Sequence, residues 1–264
     1  MFRWFLMVAV LVGSLWGAVA PKKVPVLCYH RFGVEVADSM TIKNSAFAEQ
    51  MEWLKTNGYT VISLDTAMQY EQGKIKSIPA KSVVITVDDG HKSVYSDMAP
   101  IVKKYKIPVT LFIYPSAISN AKYAMTWEQL QALETTKLFH VESHTYWHPN
   151  FKKEKKTLSA EEYAKSVDKQ LNGSKKKLEE KMGHEIKYLA WVFGIYDDAL
   201  LVDVKNAGYT AAFTIDRKHA SSSDNPMALG RYMVVSKHTI KDFEHMVDGT
   251  EDRMIPSKKE VVKY

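Results

Sequence analysis

A chain of 264 residues with 46% hydrophobic and 25% charged content is ordinary globular material, long enough for one large core. That balance excludes a disordered or fibrous protein. Cys28 is the only cysteine, which excludes an intramolecular disulfide; it lies in the apolar run Val24 to Tyr29, where a small buried hydrophobe is expected rather than a reactive thiol.

The first twenty residues depart from the average. Arg3 gives a positive start, Phe5 to Val12 is apolar, and Ala18-Val19-Ala20 has the small-x-small form of a cleavage site. Residues 1–20 therefore read as an export signal, and the mature chain is expected in the periplasm, in the cell envelope or outside the cell. Pro21 fits poorly after a cut, so a retained N-terminal anchor stays open. The apolar run is shorter than the ~20 residues a spanning helix needs.

The net charge of +6 comes largely from lysine clusters, Lys152-Lys153, Lys155-Lys156 and Lys175 to Lys177. They sit in Glu-rich, helix-like stretches without interleaved aromatics, so they read as solvated helix faces and not as a nucleic-acid surface. Peripheral association with an acidic cell envelope stays open.

Strand-like runs recur at Val24 to Tyr29, Val83 to Val87, Val109 to Tyr114, Phe139 to Ser143, Tyr188 to Phe193, Ala211 to Ile215 and Tyr232 to Val235. Several are almost continuously apolar, as strands covered on both faces are, which predicts a mostly parallel sheet. Between them, Ser45 to Asn57 places Phe47, Met51 and Leu54 on one helix face and stops at Gly58. Thr126-Trp127-Glu128-Gln129 and Ser159-Ala160-Glu161-Glu162 have the capping-box form, and Asp197 to Asn206 is a further helix. The fold class is α/β, a distorted (β/α) barrel of about seven strands over residues 21–250, with 251–264 a loosely held tail.

Two elements carry chemistry. Ser82 to Val87 is an apolar strand that ends in Asp88-Asp89-Gly90, and barrel folds keep catalytic groups at strand C-terminal ends. Alone, an Asp-Gly turn is common. The second element, His144-Thr145-Tyr146-Trp147-His148, also follows a strand-like run. If the chain turns helically there, histidines four apart share a face and, with one carboxylate, can hold a divalent metal. Imidazole and carboxylate suit Zn, with Co or Ni as alternatives.

These elements resemble the signature motifs of the polysaccharide deacetylase family, the carbohydrate esterases of the NodB homology type. The family's Thr-Phe-Asp-Asp-Gly is similar to Thr86-Val87-Asp88-Asp89-Gly90, and its His-Ser/Thr-x-x-His to His144 through His148. Val26-Leu27-Cys28-Tyr29-His30, Met125 to Leu130 and Gly208 to Thr214 resemble the poly-N-acetylglucosamine deacetylase subgroup. The resemblance implies Asp88 as general base and Asp89, His144 and His148 as metal ligands. A metal there would activate water as nucleophile by lowering its pKa from 15.7 to as little as ~7.

Other family positions depart. The third motif, often Arg-Pro-Pro-Tyr, is here Ala190 to Asp197, without its arginine. Arg231, before a late strand, is the expected substitute that pairs with the base carboxylate. By motif position the backbone N–H of Phe193 would donate to the oxyanion. No clean copy of the fifth motif, Leu-x-Ile-His, supplies the acid. His30, at the end of the first strand, is favoured over His238. Trp147, Trp127 and Trp191 are candidates for stacking on a sugar ring.

The expected function is removal of N-acetyl groups from N-acetylhexosamine units of a cell-envelope or secreted polysaccharide, either peptidoglycan or poly-N-acetylglucosamine. Two alternatives stay open: a polysaccharide-binding or assembly protein on the same fold without turnover, and an amidase on a non-sugar substrate.

Overall fold

A computed structural model describes residues 22–250. The export signal read over 1–20 and the tail read over 251–264 lie outside the described residues.

Seven parallel strands form one curled sheet: β1 (Val26–Tyr29), β2 (Ser82–Asp88), β3 (Val109–Ile113), β4 (Phe139–Ser143), β5 (Tyr188–Ala190), β6 (Ala211–Phe213) and β7 (Tyr232–Met233). Their order across the sheet is β6-β5-β4-β3-β2-β1-β7, and the two-residue strand Thr60–Val61 adds to the start of β2. A single bridge, Phe213 to Leu229, links β6 to the segment that runs into β7. Residues 229–233 thus tie one edge of the sheet to the other.

Every residue of β2 is buried, as its nearly continuous apolar run predicts. Side chains alternate in direction along a strand. One set, including Val26, Val84, Phe112, Ala190 and Phe213, packs inside the curl. The other, including Leu27, Val83, Ile85, Leu111, Val141 and Leu189, meets the helices. Each Val, Leu, Ile or Phe among them contributes roughly 1.5–3 kcal/mol on burial. Thr86 and Asp88 belong to the inward set, and Cys28 is registered beside Thr86 on β1, so one strand pair carries polar groups into the interior.

Helices α1 (Asn44–Thr56), α2 (Trp127–Thr135), α3 (Ala160–Asp168), α4 (Ser174–Met182), α5 (Asp198–Asn206) and α6 (Ile240–Asp248) flank the sheet. α1 buries Phe47, Met51 and Leu54. Thr126 and Ser159 each form the reciprocal capping box that their spacing predicts. Lysines of the basic stretches make exposed ion pairs, Lys155 with Asp197 and Lys177 with Glu180, consistent with solvated helix faces. Among the described residues no helix is long and apolar enough to cross a membrane.

Candidate active site

Asp88 is the last residue of β2 and points inward, only 2% exposed. Arg231, on the segment that joins the sheet edges, is fully buried and meets it with two parallel bonds. Nη1 donates to Oδ1 at 2.8 Å and Nη2 to Oδ2 at 2.7 Å. The guanidinium is held in turn, with Nε donating to the Thr214 carbonyl at 3.0 Å and Nη1 to Thr86 Oγ1 at 3.1 Å. Cys28 is buried as expected and adds an S–H donor, with Sγ 3.3 Å from Asp88 Oδ2. Burial pushes the Asp88 carboxyl up. The Arg231 charge, with His144 and His30, outweighs it and holds the group at about 2. Asp88 is therefore an oriented anion at neutral pH.

Asp89 leaves the strand with φ 76°, followed by Gly90 at φ 75°, so the chain turns sharply. Asp tolerates the left-handed region; at Gly90 a Cβ would also lie 3.0 Å from Ile113 and Ile118. The turn carries Asp89 Oδ1 to 3.5 Å from His144 Nε2 and 3.4 Å from His148 Nε2. That oxygen is buried and has no hydrogen-bond partner. His144 Nδ1 donates to the Ala190 carbonyl at 2.8 Å, which leaves the Nε2 lone pair directed at Asp89. Burial lowers the His144 imidazole to about 4, so it is neutral, as a ligand must be. An orphaned carboxylate oxygen facing two imidazole nitrogens fits a divalent cation of the Zn type.

The two histidines do not converge through a helical turn. Residues 144–150 are irregular, and Thr145 (φ 67°) and His148 (φ 63°) both take left-handed conformations. The loop is clamped from a π-helical turn, Lys169–Gly173, where the buried Gln170 Oε1 accepts the N–H groups of Tyr146 (2.9 Å) and Trp147 (3.1 Å). Ser174 Oγ donates to the Thr145 carbonyl. Gln170 carried no motif signal; only its burial in this fold reveals it.

His30 follows β1, and its Nδ1 is buried without a hydrogen-bond partner. One of its ring nitrogens, Cys28 Sγ and an Asp88 oxygen lie within 4.8 Å of one another. His238 instead sits in the turn into α6, its Nδ1 accepting the Val235 N–H. Phe193 has φ 55° in the short turn Val192–Gly194, and its ring stands edge-on to His148 at 4.8 Å.

An open groove of about 450 Å³ runs past His148, lined by Tyr114, Ser116, Asn120, Tyr123 and Trp147 among others. Trp147 is 42% exposed there. Of the other two tryptophans, Trp191 is corrected by the structure. Trp191 is fully buried, and its Nε1 donates to the Met227 carbonyl at 2.8 Å, so its ring belongs to the core. Trp127 packs partly buried at the start of α2 beneath Lys181 and does not line the groove. Trp191→Phe is accordingly expected to lower stability by about 1–3 kcal/mol, the cost of an unpaired buried carbonyl, with KM unchanged. Denaturant melts beside KM measurements check this; a raised KM at intact stability would return Trp191 to the substrate.

The model of the polysaccharide deacetylase family matches residues 76–212, more than half of the chain. The chain belongs to the polysaccharide deacetylase family. A poly-β-1,6-N-acetyl-D-glucosamine N-deacetylase of Staphylococcus aureus is similar to this deacetylase, 27% identical over 220 residues that cover 81% of this chain and 74% of that one. Among solved structures, IcaB from Ammonifex degensii is 26% identical with a TM-score of 0.73, over 86% of this chain and 96% of its own. The deacetylase PplD of Streptococcus pyogenes, in complex with acetate, shares the fold at 21% identity and a TM-score of 0.75, over 86% of this chain and 99% of its own.

Proposed function

We propose that this polysaccharide deacetylase is an exported, metal-dependent N-deacetylase of a poly-β-1,6-N-acetylglucosamine-type polymer. One observation carries the reading: a buried carboxylate held by a bidentate arginine adjoins a carboxylate and two imidazoles that converge on one point at the mouth of an open groove. Asp89, His144 and His148 would hold the metal, Zn first and Co or Ni next; when bound, it supplies Lewis acidity and an acidified water. Asp88 would accept the proton of the attacking water. Its pairing with Arg231 keeps it ionised and aimed, which is the orienting role that the missing third-motif arginine would have had. The Phe193 N–H donates to the developing oxyanion, and His30 gives a proton to the leaving amine. Trp147 and the groove tyrosines offer apolar faces to neighbouring sugar rings. The apolar leader supports export, and the similarity to the staphylococcal enzyme supports the polymer.

With Arg231 and His30 both at Asp88, the site has candidates for the roles that two motifs lacked, which favours turnover over binding alone. The mature protein, supplied with Zn or Co, is expected to release acetate from β-1,6-linked N-acetylglucosamine oligomers faster than from peptidoglycan or simple amides. Faster release from peptidoglycan would replace the proposed polymer. Tight oligomer binding with no acetate from any substrate would replace the enzyme by a binding protein.

A further inference from the structure

A second His/Glu cluster lies away from this site, near the opposite end of β4. His140 is four residues before His144 on the same run, about 13 Å back at ~3.3 Å per residue. Beside it stand Glu134, near the end of α2, and His184, in the turn after α4. One ligand atom from each of the three lies within 4.8 Å of the others. Glu134 Oε1 is 2.8 Å from His184 Nε2 and 3.7 Å from His140 Nδ1, and the two imidazole rings stack at 4.3 Å.

The outer sides of both rings are already committed. His184 Nδ1 donates to the Glu185 carbonyl at 3.0 Å, and in the metal-free chain Nε2 donates to Glu134 Oε1 at 2.8 Å, so a proton occupies the place between them. His140 Nε2 faces Glu142 Oε1 at 3.3 Å. Glu142 is completely buried and anchored through Oε2, which accepts the N–H groups of Lys187 and Tyr188, while Oε1 has no hydrogen-bond partner. The Val141 N–H in turn fixes Glu134 Oε1 at 2.8 Å. Imidazoles whose far nitrogens point at a carboxylate and a carbonyl, and whose near nitrogens converge on a carboxylate, reproduce the outer-shell arrangement of transition-metal sites.

We propose that Glu134, His140 and His184 form a second divalent-metal site of the Zn class, separate from the catalytic centre. A cation there would take the place of the proton that otherwise joins His184 Nε2 to Glu134 Oε1, with His140 Nδ1 3.7 Å from the same oxygen. Binding through His140 Nδ1 places the remaining hydrogen on Nε2, which gives Glu142 Oε1 the partner it lacks. Two imidazoles and a carboxylate select Zn, Co or Ni over Mg or Ca. The ion would cross-link α2, β4 and the turn after α4, a structural role. A cavity of about 280 Å³ adjoins His140 and Glu134, with Lys137 the one cation among its lining residues.

Chelator-stripped full chain is titrated with Co²⁺ and Zn²⁺, reading bound metal by elemental analysis and the visible Co²⁺ bands, with no reference to activity. Asp89→Asn/His144→Ala, which disables the catalytic set, is expected to retain one equivalent. Adding His184→Ala removes it, and Glu142→Gln weakens it about 10–100-fold. Should the combined variants fold poorly, the wild-type chain and His184→Ala differ by one equivalent. No bound metal in Asp89→Asn/His144→Ala that melts as a folded protein would overturn the proposal, since a proton alone then joins His184 to Glu134. So would an equivalent that His184→Ala leaves in place.

Discussion

His148→Asn is expected to abolish measurable acetate release and to weaken metal binding at the catalytic centre by more than about 100-fold. Outer-shell partners of metal ligands already cost 10–100-fold, so loss of a ligand itself exceeds that range. Among the three proposed ligands, His148 is the informative one to remove. It lies on the rim, whereas His144 is buried and bonded to Ala190, so its loss would also disturb the core. Asparagine is chosen because residue 148 has φ 63°, a conformation that Asn accepts more readily than Ala. The expected melting temperature of the stripped variant therefore stays near that of the stripped wild-type chain. Metal content by elemental analysis, read with acetate release, checks the pair of outcomes; full metal content with activity lost would give His148 another role.

Arg231→Met is expected to have the largest effect on stability, about 3–5 kcal/mol, because it leaves Asp88 as an uncompensated buried anion. The effect on pH dependence has a definite sign. Burial pushes the Asp88 carboxyl up, and Arg231 is the foremost of the groups that pull it down to about 2. Without the guanidinium the pKa rises, so the acid limb of the kcat/KM profile moves to higher pH. In the native chain the depressed pKa contributes stability that is present above the unfolded-state value of about 3.9 and lost as pH falls toward about 2. Arg231→Lys keeps the charge but not the two-pronged geometry, and is expected to recover part of the stability and of the pH shift. Urea melts and pH–rate profiles of the three chains measure this. An unmoved acid limb in Arg231→Met would mean that the arginine does not set the ionisation of the base.

Much of this fold could be read from the chain because its signals are local. The run Val83 to Val87 is apolar but for Thr86, and the boxes at Thr126 and Ser159 need only four residues each. The residues of the proposed ligand set were visible too, since Asp89, His144 and His148 sit in short motifs and the structure brings them together. How the histidines meet was not visible. The expected helical turn is a loop with two left-handed non-glycine residues, and its clamp, Gln170, comes from a π-helical turn that no periodicity announces. Arg231 reaches Asp88 across 143 positions and only because residues 229–233 join the sheet edges, so its burial depends on closure of the fold. Trp191 misled for the opposite reason: an aromatic beside a motif looks like substrate floor until the core is seen to fill around it.

Acetate release by Asp88→Asn, read beside its bound metal, tests the assignment of base and metal centre most directly. Asparagine keeps an oxygen toward Arg231 while it removes the proton acceptor. The variant is expected to retain the metal equivalent that His148→Asn loses, and to lower kcat by about 10²–10⁴-fold, the contribution of a positioned general base. Turnover near the wild-type rate on the same oligomers, with metal bound, would contradict the role given to Asp88.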